Sequence, residues 1–426
     1  MKMKQMGAGL ILLIMMTVAA AAGNVEETFA VCGGRVVPIA GPEIENGVIL
    51  VENGKIKAVG AASEISIPPG IPIIDAAGGW ILPGLVDSFA SAGQAGGDEI
   101  SDPVTAGLRI LDDLNPFDKR FEQTARAGIT TLMIGPGRIN VIGARTAVIK
   151  PRGLTAEDMV LLEPASIKIS LGEGPKAAFG EKGRLPGTRM GSAYVVRKAL
   201  LEAAEYSQKR RQAEAEKAAA TRKKDAKPAA APARNLDLEP LADLLEGKLP
   251  AFIECHRVDD IQTALRLVDE FGFRAVLLGA EEGWKIAGQI AGRNIPVVVG
   301  SMGTGPKREE TKNVKLGNAA ELVKAGVKVA IGAEDALGIG AREELVLSAA
   351  LAVKAGLDRP TALRAVTLTA AEILGVASRV GSIEPGKDAD LVIFTGDPLH
   401  YQTRVARVLI EGRPIPVPEQ LRKPRP

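Results

Sequence analysis

The sequence of 426 residues is short of the side chains that most often carry chemistry: it has two histidines, two cysteines and 3% aromatic residues. It contains no Cys-x-x-Cys pair, no Gly-x-Ser-x-Gly elbow, no P-loop ending in Lys-Ser or Lys-Thr, and no dinucleotide fingerprint at a strand-to-helix turn. Those absences exclude thiol-disulfide, serine-hydrolase, P-loop and nicotinamide chemistry of the usual kinds. The formal net charge is only +2, with no clustered basic face, so nucleic acid is excluded as a partner. A small-molecule ligand is the remaining default.

What the chain has in quantity is aliphatic residue. Hydrophobic residues make up 46% of it, mostly Ala, Val, Ile and Leu, which suit the buried strands of a parallel sheet. The length exceeds one ordinary core, so a barrel plus a smaller domain is expected.

Lys2 and Lys4 precede an apolar run from Gly7 to Val18 and small residues from Ala19 to Ala22. This pattern predicts a signal peptide over 1–22 and an exported protein, periplasmic or extracellular. A membrane span needs about 20 apolar residues, which the run reaches only by counting its alanines. Export would permit a disulfide between Cys32 and Cys255. The two fall on strands of different domains, so free cysteines are expected instead.

From Phe29 to Ile81, short apolar alternations are punctuated by Asn46-Gly47 and Asn53-Gly54, which predict hairpin turns. Similar strands return at Asp390–Phe394 and Val405–Ile410, with Glu411-Gly412 as a turn. The two ends, 23–82 and 381–426, are expected to form one small β-sandwich. Between them, over 83–380, strands and helices alternate, which predicts βα units and a parallel sheet. Eight strands are placed: Gly84–Phe89, Ile129–Ile134, Arg145–Lys150, Ile167–Leu171, Ala251–His256, Arg274–Gly279, Ile295–Gly300 and Val327–Ala333. Asp259 with Gln262, and Thr369 with Glu372, predict capping boxes, with Gly272 and Gly375 as stops. The stretch 208–234 is charged and nearly free of large apolar residues, so it is expected to be an exposed insertion.

The stretch Pro83-Gly84-Leu85-Val86-Asp87-Ser88-Phe89-Ala90-Ser91-Ala92-Gly93 resembles the first barrel strand of the amidohydrolase superfamily, Pro-Gly-Leu-Ile-Asp-x-His-x-His-x-Gly. Gly381 to Val392, Gly-Ser-Ile-Glu-Pro-Gly-Lys-Asp-Ala-Asp-Leu-Val, resembles the family's return into the small domain. The resemblance implies an α/β fold, a (β/α)8 TIM-like barrel with a composite β-sandwich, and metal-dependent hydrolysis of non-peptide carbon-nitrogen bonds. The chain is similar to imidazolonepropionase and its relatives.

The resemblance also places the site at the C-terminal ends of the barrel strands. The family's two first-strand histidines correspond to Phe89 and Ser91, and a later one to Gly279. Glu173 and His256 fall where metal ligands are expected, and Glu334 or Asp335 where an aspartate would take a proton from metal-bound water. Catalytic zinc takes three protein ligands and a water, so this set supports at most one divalent metal, zinc, held weakly. Lys176, Lys182, Arg184 and Arg189 form a basic cluster after the fourth strand that is expected to bind substrate carboxylates. Cys255 and His256 are adjacent on a strand, so they face opposite ways and should not meet. The reading is an exported amidohydrolase-like protein that has lost most metal ligands. It would bind an amide-like small molecule, as a homo-oligomer or beside an active relative. The alternative is an active hydrolase of cyclic or linear amides with one weakened metal site.

Overall fold

A computed structural model describes residues 28–418, apart from 91–92, 94–96, 221–231, 301–307 and 334–340; the side chains of 219–220 and 341–344 are also left undescribed. The predicted signal peptide, Ser91, Glu334 and Asp335 therefore lie outside the described residues.

The N-terminal strands are β1 (Thr28–Val36), β2 (Ile44–Glu52), β3 (Lys55–Ala61), β4 (Ile73–Asp75) and β5 (Trp80–Pro83). The barrel follows with β6 (Leu85–Ala90), β7 (Ile129–Ile134), β8 (Ile142–Arg145), β9 (Ala147–Ile149), β10 (Val160–Leu162), β11 (Ile167–Ser170) and β12 (Ala251–Cys255). It continues through β13 (Ala275–Gly279), β14 (Val297–Val299) and β15 (Val329–Ile331), and the chain returns in β16 (Leu391–Phe394), β17 (Val405–Ile410) and β18 (Arg413–Ile415).

Both chain ends do join. The order β18-β17-β16-β5-β1-β2-β3, with β4 on β1, is a single mixed sheet of eight strands. Its seam is β16 against β5, antiparallel, with Leu391 opposite Pro83 and Phe394 opposite Trp80. The sheet curls until its turns meet, Ala389 N–H donating to Gly54 O at 2.8 Å. Phe29, Val31, Ile49, Ile56, Ile81, Leu391 and Leu409 fill the curl. Asn53-Gly54 and Glu411-Gly412 are turns with positive φ at both residues, the geometry that asparagine and glycine favour. Asn46-Gly47 differs from expectation. It lies inside β2, where the register against β1 shifts between Gly34 and Val36; the positive φ of Asn46 serves a bulge, not a hairpin.

In the barrel, β11 to β15 run parallel to one another, as do β6 and β7. The third stave, β8 with β9, runs antiparallel to β11 on one side and β7 on the other. This corrects the expectation of a uniformly parallel sheet. The chain leaves β7 at Ile134 and re-enters at Ile142, too short a link for a crossover, and a strand that returns directly must run antiparallel. Closure is at β6, where Asp87 Oδ1 accepts the Ala333 N–H beyond β15 at 3.0 Å. Inside, Val86, Met133, Val148, Phe252, Val276, Leu278, Val298 and Ala330 form the barrel floor.

The outer layer is α1 (Lys119–Arg126), α2 (Ala156–Met159), α3 (Glu173–Gly180), α4 (Arg189–Ala220), α5 (Leu238–Leu245) and α6 (Val258–Phe271). It is completed by α7 (Ala287–Ala291), α8 (Asn318–Lys324), α9 (Ala341–Lys354), α10 (Arg359–Ala365) and α11 (Leu368–Ile373). Helix α6 buries Ile261, Ala264, Leu265 and Leu267 and ends at Gly272 in the left-handed region. Its expected cap does not form: the N-cap is Arg257, and Asp259 instead holds Arg257 at 2.9 and 3.0 Å. Thr369 likewise lies inside α11, whose N-cap is Thr367. The charged stretch is not detached from its start. Helix α4 carries it to Ala220, with Tyr206, Ser207 and Ala213 buried and Arg210 bonded to Glu246, just past α5, at 3.1 Å.

The two domains are locked by charge. Lys150, at the end of β9 and nearly inaccessible, donates to Asp388 at 2.6 Å and Asp390 at 3.1 Å, and Glu411 lies 3.3 Å away. Arg379 and Lys55 also bond Asp388. The Lys387-Asp388-Ala389-Asp390 words of the second resemblance thus serve the barrel–sheet joint.

Candidate active site

Period-2 alternation decides what faces the barrel mouth. On β11, Ile167 and Ile169 pack outward while Ser166, Lys168 and Ser170 turn inward; on β12, Glu254 and His256 turn inward while Cys255 joins the outer core. The result is a buried chain of charges. Lys168 Nζ donates to Glu254 Oε2 at 2.7 Å and to Ser170 Oγ at 2.9 Å, and it stands 5.3 Å from the Phe89 ring centre. Glu254 Oε1 is 3.1 Å from His256 Nε2. His256 Nδ1 bonds Glu281 Oε2 on the other side. Arg308 Nη2 lies 2.9 Å from Nε2, and Glu310 Oε1 is shared, 3.3 Å from Arg308 and 3.8 Å from His256.

Burial opposes the charged form of His256, but Glu281 and Glu254 outweigh it and push the imidazole well above its usual range. Burial also opposes a charged Glu254, and Lys168 and His256 reverse that, holding it well below the usual carboxylate range. Cys255 is pushed well up, first by burial and then by nearby carboxylates, so it is no thiolate nucleophile. Glu282 is buried yet held down at about 2, through Lys285, the Val258 N–H and Asn313.

Beside this chain lies a cavity of about 250 Å³, lined by Phe89, Asp98, Arg138, Glu254, Leu278 and Val298 among others, with glycine backbone at 137, 279, 300 and 332. Asp98 does not offer a free carboxylate to it, since it accepts the N–H groups of Gly137 and Ile139 at 2.6 and 3.2 Å.

The sequence-predicted residues separate. His256 is central. Glu173 opens α3 on the rim, where Lys176 lies at 3.0 Å and Arg189 at 2.8 Å; these two, Lys176 first, lower its pKa. Arg189 also grips Asp260 at 3.0 Å, so Lys176 and Arg189 are paired within the protein. Arg184 donates to Ser101 O at 2.6 Å and stacks on Phe179, while Lys182 is exposed. His400 is exposed in its turn, against Tyr401. Sequence reasoning missed Lys168, Glu254, Arg308 and Glu310. For the first two the signal was there, in the polar alternation of Ser166, Lys168 and Ser170 and of Glu254 and His256.

The described residues do not fit a catalytic zinc. Among them no group of three His, Cys, Asp or Glu side chains is placed to hold a metal ion. Both ring nitrogens of His256 are engaged, and Phe89 and Gly279, which line the cavity beside it, carry no donor side chain. A Cβ on residue 279 would fall 2.5 Å from His256 Nδ1, and φ there is +81°. His256 therefore leans into the space a sixth-strand side chain would need.

Comparison with known proteins agrees with the fold. A family model described as "Amidohydrolase family" matches residues 253–415. Amidohydrolase tasK of Hapsidospora irregularis is 27% identical over 390 residues, 86% of this chain; the chain spans 39% of that relative's length. Imidazolonepropionase of Geobacillus kaustophilus is 42% identical over 81 residues, 19% of each chain. The crystal structure of an amidohydrolase from Thermotoga maritima superimposes with a TM-score of 0.82 at 34% identity, over 92% of this chain and all of that one. With a full-length relative at that identity and the same barrel and composite sheet, this chain belongs to the amidohydrolase family.

Proposed function

We propose that this chain is an exported amidohydrolase-family protein that binds a small amide-like molecule at its barrel mouth and lacks the paired metal of a working hydrolase. The observation that carries the reading is the state of His256. Its nitrogens are tied to Glu281 and Glu254, and the fixed positive charges of Lys168 and Arg308 stand close by. A metal ion brought there would meet the Arg308 guanidinium and an imidazole whose two nitrogens already have partners, whereas zinc needs a free imidazole nitrogen. Without metal, water keeps a pKa near 15.7, not about 7, so Glu334 or Asp335 would have no activated nucleophile to serve. The cavity, about 250 Å³, sits below the ~300–1,000 Å³ usual for drug-sized ligands. It suits a short amide or single ring, with Phe89 and Leu278 as apolar walls and Glu254 and backbone as polar partners. An active relative in the same compartment is the partner this reading calls for. Export rests on Lys2, Lys4 and the apolar run; N-terminal sequencing of exported protein should find Gly23 or a neighbour.

Elemental analysis of protein expressed with added zinc tests the central claim. Less than about half an equivalent per chain is expected after dialysis. Two tightly held transition-metal ions would overturn the reading. One ion lost in His256→Ala, together with robust amide hydrolysis, would establish the single-metal hydrolase instead. That alternative draws on Glu254 and Glu310, both within 4 Å of His256 Nε2.

A further inference from the structure

Residues 308–313, in the link from β14 to α8, cross the barrel mouth as a strap. Glu310 Oε2 accepts the Glu173 N–H beyond β11 at 2.9 Å, Arg308 Nη2 lies 2.9 Å from His256 Nε2 beyond β12, and Asn313 Nδ2 donates to Glu282 beyond β13. A local clasp fixes the start of the strap: the Arg308 N–H donates to Thr311 Oγ at 3.1 Å, and Thr311 Oγ donates to the Arg308 carbonyl at 3.0 Å. Glycine admits it, since a Cβ on residue 172 would fall 2.7 Å from Glu310 Oε2.

What the strap delivers to the mouth is a guanidinium. Its Nη2 stands 3.9 Å from Glu254 Oε1 and its Nε 3.3 Å from Glu310 Oε1, so two edges of the planar group face two carboxylates, which suits a rigid fork of donors better than a point charge. The walls are closed to water, with the Glu310 side chain 2% and that of His256 1% exposed, whereas Arg308 keeps 19%. The arginine thus reaches inward from the surface. Glu254 already pairs with Lys168, and His256 with Glu281; among the described residues Arg308 is the cation closest to Glu310.

We propose that the barrel mouth holds a guanidinium subsite, formed by Glu254, Glu310 and His256, which the chain fills with its own Arg308 and so latches the strap. The proposal rests on the reading that this mouth takes a small amide-like molecule without zinc, and it narrows that molecule to one carrying a guanidinium or amidinium end. Glu254 belongs both to the subsite and to the cavity wall, so a ligand body in the cavity would set its planar cationic end where Arg308 lies.

Emptying the subsite tests this, with methylguanidinium as the probe. Arg308→Ala should lower the unfolding midpoint of the full chain by ~3–6 °C, as expected of a buried carboxylate stripped of its cation. It should also speed amide hydrogen exchange over 308–313 by ~10-fold or more. Methylguanidinium at ~10 mM, enough for a millimolar site, should reverse both changes saturably. The same concentration of sodium chloride should not, and neither the unsubstituted chain nor the variant that also carries Glu310→Gln should respond to the probe. Arg308→Lys, which keeps the charge without the fork, should recover only part of the midpoint. If Arg308→Ala does not fold unaided, refolding from urea with and without the probe decides: recovery of soluble chain only with methylguanidinium supports the subsite, and equal yields overturn it. A midpoint unmoved by Arg308→Ala, a rescue that is absent or matched by sodium, or full retention in Arg308→Lys would also overturn it. Two zinc ions held by the unsubstituted chain would sink the reading beneath the proposal, whereas failure of methylguanidinium to rescue a zinc-free Arg308→Ala chain sinks the proposal alone.

Discussion

Replacing Lys150 with methionine removes the one ammonium shared by three carboxylates at the joint of barrel and sheet. Asp390 then suffers most. Its Oδ1 keeps only the Glu411 N–H at 2.8 Å, and its Oδ2 has no hydrogen-bond partner among the described residues. Stripping one partner from a buried ion pair costs about 3–5 kcal/mol. With an unfolding entropy of about 2.1 cal/mol/K per residue, that is a fall of about 4–6 °C in the unfolding midpoint for a chain of this size. The loss should depend on pH. Burial already raises the Asp390 pKa, against the pull of Lys150, and without the lysine it rises further. A carboxyl with a raised folded pKa costs nothing below the unfolded value of about 3.9 and progressively more as pH climbs through the folded value. The deficit measured by urea unfolding should therefore be smaller at pH 5 than at pH 8. Adding Asp390→Asn to Lys150→Met should recover part of it at pH 8. A deficit under about 1 kcal/mol, the scale of a surface pair, or one flat with pH, would refute the reasoning. In the unsubstituted chain the Lys150 pKa is raised, its burial outweighed by Asp390, Asp388 and Glu411. Its contribution is present below the unfolded value of about 10.4 and fades as pH rises through the folded one.

Two further outcomes follow from packing. Gly279→Ala should lower stability by about 2–4 kcal/mol, because the added Cβ meets the pinned His256 ring and a left-handed backbone at once; thermal unfolding checks it, and a neutral result would mean His256 moves freely. Replacing 214–231 with a short Gly-Ser linker should leave the unfolding midpoint where it was. A replacement beginning at Tyr206 should cost ~3 kcal/mol or more through lost burial and lost bonds to Glu246; equal effects would mean that α4 contributes nothing past Ala203.

Most of the architecture was legible because hydrophobic period and turn chemistry act locally. Asn53-Gly54 and Glu411-Gly412 make turns by their own φ preferences, and the runs of β13 and β14 are apolar on both faces, as strands buried on both faces are. The third stave was misread in direction because direction is set by the length of the link before it, not by the residues within it. The caps failed for a similar reason. Asp259 is a good cap in isolation, but Arg257 beside it offers a stronger, charged partner.

The site was legible only where one strand could be read alone. His256, Phe89 and Gly279 sit at strand ends fixed by alternation, and the same rule gave Lys168 and Glu254 had it been applied to polar residues as well as apolar ones. Arg308 and Glu310 carry no such local mark, because they reach His256 from a segment more than fifty residues away. The basic cluster shows the opposite error. Lys176 and Arg189 look available in sequence because their partners Glu173 and Asp260 cannot be assigned without the fold, and once paired they neutralise one another. What distinguishes the two resembling stretches is then physical. Lys387-Asp388-Ala389-Asp390 carries charges whose partner, Lys150, lies in the barrel, so altering it would open the joint between domains. Phe89 lines the cavity beside Lys168, and Gly279 lines it beside His256. Around them, Lys168 and the Glu281–His256–Glu254 bonds satisfy the buried polar groups of the barrel mouth.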